Sequence, residues 1–113
     1  MRANIKKVHF IGIGGVGMSG LAAILLNRGY DISGSDLSAN RLTRGIEASG
    51  GRIFIGHRSS NIEKGTQLVV YSTCIDEKNP EIIAAKKARI PIVHRSDILA
   101  ELFNPRRAVA VTG

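Results

Sequence analysis

His9-Phe10-Ile11-Gly12-Ile13-Gly14-Gly15-Val16-Gly17-Met18-Ser19-Gly20-Leu21-Ala22 carries an apolar strand pattern into Gly-x-Gly-x-x-Gly and on into an apolar helical pattern. Each glycine has its own task in such a turn. Gly12 permits the tight bend, Gly14 lets backbone N–H groups approach a pyrophosphate, and Gly17 lets the helix pack closely on the strand. The first-turn amides of the helix have no intrahelical acceptor, and the positive end of its dipole lies at the same place. The motif alone is weak, because a glycine-rich turn also serves simply to connect a strand to a helix. Here Asp36 stands nineteen positions after Gly17 at the end of the next apolar segment. Strand, turn, helix and acid together favour a diphosphate seat.

Outward from this unit, strand and helix patterns alternate, which predicts an α/β fold: a Rossmann-like three-layer domain with a mainly parallel sheet of about five strands. Val8 to Ile11 reads as the first strand. Val16, Leu21, Ala22, Leu25 and Leu26 supply the buried stripe of the first helix, which Gly29 ends. Ile32 to Ser35 is a second strand, with Asp36 at its carboxyl end. Leu42 and Ile46 share one face of a modest helix, weakened by Gly45 and stopped by Gly50-Gly51. Arg52 to Ile55 and Leu68 to Tyr71 are the third and fourth strands. Asn79-Pro80-Glu81 starts a helix that runs to about Arg89: Asn79 caps, Pro80 needs no N–H in the first turn, and Glu81 suits the positive end. Ile90 to Val93, which includes Pro91, reads as a short strand near an edge. Ser96 caps a last helix carrying Ile98, Leu99, Leu102 and Phe103, and Ala108 to Gly113 is a final strand.

A chain of 113 residues is one domain's worth of protein, and no apolar run reaches transmembrane length. The basic N-terminus leads directly into the first strand, so no signal peptide is expected and a cytoplasmic location is the simplest reading. Cys74 is the single cysteine, which excludes an internal disulfide and a cysteine-cluster metal site. It reads as a small residue tucked beneath a loop. Sixteen Lys and Arg against nine Asp and Glu give a formal charge of +7. The basic residues are spread in singles and pairs, with few aromatics for base stacking, so a solvated basic surface is favoured over a nucleic-acid face.

Beyond the glycine turn, the segments Leu25 to Tyr30, Ser33-Gly34-Ser35-Asp36, Gly56-His57, Val70 to Ile75, Asn79 to Ile82, Ile90 to Val93, Arg95-Ser96 and Leu99 to Leu102 occur in the order of a known pattern. The chain resembles the start of the Mur ligases of peptidoglycan synthesis, most of all those that join L-alanine to UDP-N-acetylmuramate. The resemblance implies that this domain grips the UDP part of UDP-N-acetylmuramate. The expected substrate-binding residues are Gly12, Gly14, Gly15, Val16, Gly17, Met18, Ser19, Asp36, His57, Ser72 and Thr73. Gly14 to Met18 would offer backbone donors to the diphosphate, and Asp36 would accept from the ribose hydroxyls or the uracil region. Ser72 and Thr73 follow the fourth strand at the edge where ligands of open α/β sheets bind, although local loop bonding serves either equally well. His57 is either a uridine contact or an exposed loop histidine. Arg58 and Arg95 are further candidates for the phosphates.

No catalytic constellation and no metal-ligand set is visible in the sequence. The resemblance implies that ATP and magnesium belong to a central domain, which Val111-Thr112-Gly113 would open, and that the amino acid is brought by a C-terminal domain. The expected division is therefore 1–107 for the UDP-binding domain and 108–113 for the start of the central one. Alone, the 113 residues should bind UDP-N-acetylmuramate without turnover; the other domains of the same enzyme are the expected partners, with no nucleic acid and no membrane. The alternative reading is an NAD-binding Rossmann domain of an oxidoreductase or regulatory protein, which Asp36 fits equally well.

Overall fold

In the computed structural model, which describes residues 5–98, strands β1 (Lys7–Ile11), β2 (Asp31–Asp36), β3 (Arg52–Ile55), β4 (Leu68–Tyr71) and β5 (Ile92–His94) form one sheet. Every pairing is parallel, in the order β3-β2-β1-β4-β5. Successive side chains of a strand point to opposite faces, so β1 and β4 each feed two cores. On one face Val8, Phe10, Ile32, Leu68 and Val70 pack against Leu21, Ala22 and Leu25 of α1 (Val16–Asn27) and Ile46 of α2 (Arg41–Ala48). On the other, Ile11 and Val69 pack against Ile82 and Ala85 of α3 (Pro80–Lys87). The result is the expected three-layer α/β domain, with a sheet that is parallel throughout.

The local signals act as their chemistry requires. Asn40 caps α2 and shares a capping box with Thr43, Asn79 accepts the Glu81 N–H at the start of α3, and Pro80 occupies the first turn. Gly34 lies inside β2, where an added Cβ would stand 2.4 Å from Ile13 Cδ1. Its bare backbone therefore lets the fully buried Ile13 fold down from the glycine turn onto the sheet.

The structure corrects several sequence expectations. Val16 is 82% exposed rather than part of the buried stripe, because it is the first residue of α1, at the helix entrance; Met18 takes the inward position. The edge strand is Ile92–His94 rather than Ile90 to Val93, since the Ile90 N–H donates to Ala85 and closes the end of α3. The chain at Arg95–Asp97 is a short 3-10 turn whose cap is the His94 ring, which accepts the Ser96 N–H, and the last helix that Ser96 is expected to cap lies outside the described residues. The link from β3 to β4 carries only a 3-10 turn, Ser59–Asn61, and no α-helix. The last helix beyond Ile98 and the strand from Ala108 to Gly113 lie outside the described residues.

Candidate functional site

Strand order reverses between β1 and β4, and in open α/β sheets the crevice for a ligand forms at that point, beyond the carboxyl ends of the strands. A cleft of about 540 Å³ lies there. The carboxyl ends of four strands supply it: Gly12, Gly14 and Gly15 after β1, Asp36 at the end of β2, His57 after β3, and Ser72 after β4, with Met18 from α1. Seven of the eleven expected site residues thus meet on one cleft.

The turn is held by β2. Ser35 O accepts the N–H groups of Gly12 at 2.8 Å and Ile13 at 2.9 Å, and Gly12 adopts φ +84°, a backbone open to glycine. Asp36 Oδ2 accepts the Gly14 N–H at 2.8 Å, and Oδ1 accepts that of Leu37. The Gly15 N–H donates to Gly12 O. This corrects the division of labour expected in the turn, because the Gly14 and Gly15 amides are already engaged inside the protein. The amides of Val16, Gly17 and Met18 have no protein acceptor among the described residues. They are the free donors at the positive end of α1.

Two glycines have neighbours that the sequence did not indicate. A Cβ on Gly14 would stand 2.8 Å from Asp36 Oδ2 and 3.1 Å from both Asn40 Nδ2 and Thr43 Cγ2, so Gly14 makes room for α2's cap as well as for a ligand. A Cβ on Gly17 would stand 3.2 Å from Arg95 Cδ and 3.3 Å from Nε. The side chain nearest to Gly17 is thus that of Arg95, which sets a guanidinium beside the helix's N-terminus. Of the two arginine candidates, Arg58 instead gives its backbone N–H to Glu81.

Ser19 and Thr73 are not on the cleft. The Ser19 hydroxyl is buried and donates to Val16 O, as a helical serine commonly does. Thr73 is paired with His94 Nε2 at 3.0 Å. Val16 and Gly17 are exposed at the helix entrance. Cys74, expected beneath a loop, is exposed and lines the cleft, as do Asn40 and Asn79.

Beneath the cleft lies a polar network that sequence reasoning missed. The Glu81 side chain is fully buried and its carboxylate accepts from His9 Nε2 at 2.6 Å, Ser35 Oγ at 2.7 Å, Asn61 Nδ2 at 2.8 Å and Arg58 N at 3.1 Å. His57 Nδ1 lies 2.9 Å from Ser35 Oγ and 3.3 Å from Glu81 Oε2. Burial alone would push the Glu81 carboxyl up, but the hydrogen bonds from His9, Asn61 and Ser35 outweigh it and hold the group below the usual carboxylate range. The sequence signal was a polar stripe: His9 in β1 is in register with Ser33, and Ser35 lies two residues on, all three within otherwise buried strands.

A doubly wound α/β domain with a glycine turn at a helix entrance and an acid closing the second strand belongs to the nucleotide-binding class of open-sheet folds. Residues 7–107 match the family described as "Mur ligase family, catalytic domain", and the chain belongs to the Mur ligase family. It is 50% identical over its whole length to the UDP-N-acetylmuramate–L-alanine ligase of Aquifex aeolicus (strain VF5), of which it spans 25%. The crystal structure of the UDP-N-acetylmuramate-alanine ligase MurC from Thermotoga maritima is similar at a TM-score of 0.77 and 35% identity, over 81% of this chain and 21% of that one. The UDP-N-acetylmuramate:L-alanyl-gamma-D-glutamyl-meso-diaminopimelate ligase of Neisseria meningitides matches at a TM-score of 0.77 and 26% identity, over 86% of this chain and 31% of that one. The alternative of an NAD-binding oxidoreductase domain gains no support from these relatives.

Proposed function

We propose that this chain is the N-terminal, UDP-binding domain of an ATP-dependent ligase that joins L-alanine to UDP-N-acetylmuramate in cytoplasmic peptidoglycan precursor synthesis. The observation that carries this reading is the switch-point cleft, with free Val16, Gly17 and Met18 amides at its helix entrance, in a chain 50% identical to such a ligase. The diphosphate sits on those amides, with Arg95 beside them. Each Asp36 oxygen keeps a second lone pair for a ribose hydroxyl, and His57 and Ser72 face the rest of the nucleotide. Residues 1–107 form this domain, and 108–113 begin the central one.

ATP and magnesium do not fit the residues described. Among them no group of three His, Cys, Asp or Glu is placed to hold a metal ion, and the glycine turn carries no lysine for ATP phosphates. Their seat belongs to the central domain, and this chain's part is to anchor and orient the sugar nucleotide. No helix among the described residues is long and apolar enough to cross a membrane.

Calorimetric titration of the protein with UDP-N-acetylmuramate, UDP and NAD in parallel tests the reading. The two uridine nucleotides are expected to bind and NAD to leave the baseline flat. NAD binding without UDP binding would hand the site to the dehydrogenase reading.

A further inference from the structure

The network under the cleft has a direction. Every group around the Glu81 carboxylate is a donor: His9 Nε2, Ser35 Oγ, Asn61 Nδ2, Arg58 N and His57 Nδ1. The Ser35 hydroxyl gives its only proton to Glu81 Oε1, so toward His57 it is an acceptor. His57 Nδ1 thus meets two acceptors, Ser35 Oγ and Glu81 Oε2, and must carry the ring proton. In the neutral imidazole Nε2 is then a bare lone pair. Nε2 has no protein partner among the described residues, the His57 side chain is 14% exposed, and the residue lines the cleft.

We propose that Glu81, acting through Ser35, is a positioning residue that fixes His57 as a hydrogen-bond acceptor, so that the cleft selects a nucleoside presenting a donor at that point. This rests on the nucleotide-binding reading above and adds to it the polarity that the nucleoside must show. The donor is either the N3–H of a uracil-type base or a ribose hydroxyl; a cytosine ring, whose N3 is itself an acceptor, would set two lone pairs against each other. A glutamate serving only the α3 dipole has no reason to be fully buried or to reach His9 in the central strand, 72 residues away. Glu81 is instead the anion that orients four side-chain donors, His9, Ser35, Asn61 and His57, from separate loops and strands.

The tautomer is read directly by long-range ¹⁵N–¹H spectra of the imidazole, with no ligand present. The expected wild-type signature is Nδ1–H for His57, and an Nε2–H ring would overturn the proposal. Binding is then compared for UDP, CDP and 2′-deoxy-UDP in wild type, Ser35→Ala and Glu81→Gln. Wild type should disfavour one analogue by about tenfold, the scale of one hydrogen bond: CDP if the donor is N3–H, 2′-deoxy-UDP if it is the hydroxyl. That discrimination should shrink to within about twofold in a folded Glu81→Gln variant and by a smaller factor in Ser35→Ala, where Glu81 Oε2 still lies 3.3 Å from Nδ1, while inorganic pyrophosphate binds as before. If Glu81→Gln fails to fold, Ser35→Ala and the wild-type tautomer still decide. Wild-type UDP binding with no discrimination, or discrimination that survives both substitutions, refutes the positioning role alone. Absence of UDP binding to wild type refutes the functional reading, and this inference with it.

Discussion

Asp36 Oδ2 accepts the Gly14 N–H at 2.8 Å, so the acid at the end of β2 and the second glycine of the turn form one unit. Sequence reasoning treats such an acid as a ligand group alone. Here it is also what keeps the turn in shape, and its second oxygen holds the Leu37 N–H in the same way.

Asp36→Ala should therefore act twice. Loss of a charged acceptor weakens UDP-N-acetylmuramate binding by about 1.5–3 kcal/mol, and loss of the Gly14 and Leu37 contacts lowers stability by about 1 kcal/mol. Calorimetry and urea unfolding separate the two effects. An unchanged unfolding midpoint would mean that the turn holds its shape without Asp36.

Gly14→Val is expected to destabilise the protein by about 1–3 kcal/mol, the usual range for an overpacked site. The added carbons meet Asp36, Asn40 and Thr43 before any ligand arrives. The sequence alone predicts a milder loss, because it shows only the room needed by a phosphate. Thermal unfolding of the variant without ligand measures the difference.

Arg95→Ala should weaken diphosphate-bearing ligands by about 1.5–3 kcal/mol, with uridine itself little affected. Arg95 is exposed, so stability should stay within about 0.5 kcal/mol of wild type. Equal losses for UDP and uridine would remove the guanidinium from the phosphates.

Acid should unfold this protein through its glutamates. Glu63 lies below its ordinary value of 4.5, chiefly through its hydrogen bonds from Arg52, and Glu81 lies below 4.5 because its donors outweigh burial. Both folded-state values are depressed, so both contributions are fully present above about pH 4.5 and are lost as pH falls through the folded values. The Arg52 side chain is 41% exposed, and solvent screens that pair, so most of the acid slope should come from Glu81. Unfolding midpoints measured across the acid range should fall less steeply in Glu81→Gln than in Glu63→Gln.

The fourth strand was legible because Leu68 to Tyr71 is an unbroken apolar run between Gly65 and Ser72, and the first because Val8, Phe10 and Ile11 lead straight into the glycine turn. Helix starts were legible where capping chemistry is local, as at Asn79-Pro80. What failed was anything set by a distant partner. Val16 fits an apolar stripe by spacing, yet no element of the described fold covers the helix entrance. Glu81 satisfies the rule for a helix first turn so well that the pattern hid its second role, which depends on His9 arriving from β1 and His57 from the loop after β3. Gly17 matched its motif, but the side chain that lies against it, Arg95, is far along the chain.

The Ser35 carbonyl that accepts both Gly12 and Ile13 has a dynamic consequence. A loop pinned to a central strand cannot fluctuate on its own; it opens when β1 and β2 part. The amide hydrogens of Gly12 and Ile13 should therefore exchange with solvent at the slow pace of the sheet rather than the fast pace of surface turns. A ligand meets a cradle whose chain entropy was surrendered during folding. Association then carries little further ordering cost at the diphosphate end, and the remaining freedom to be lost belongs to the ligand.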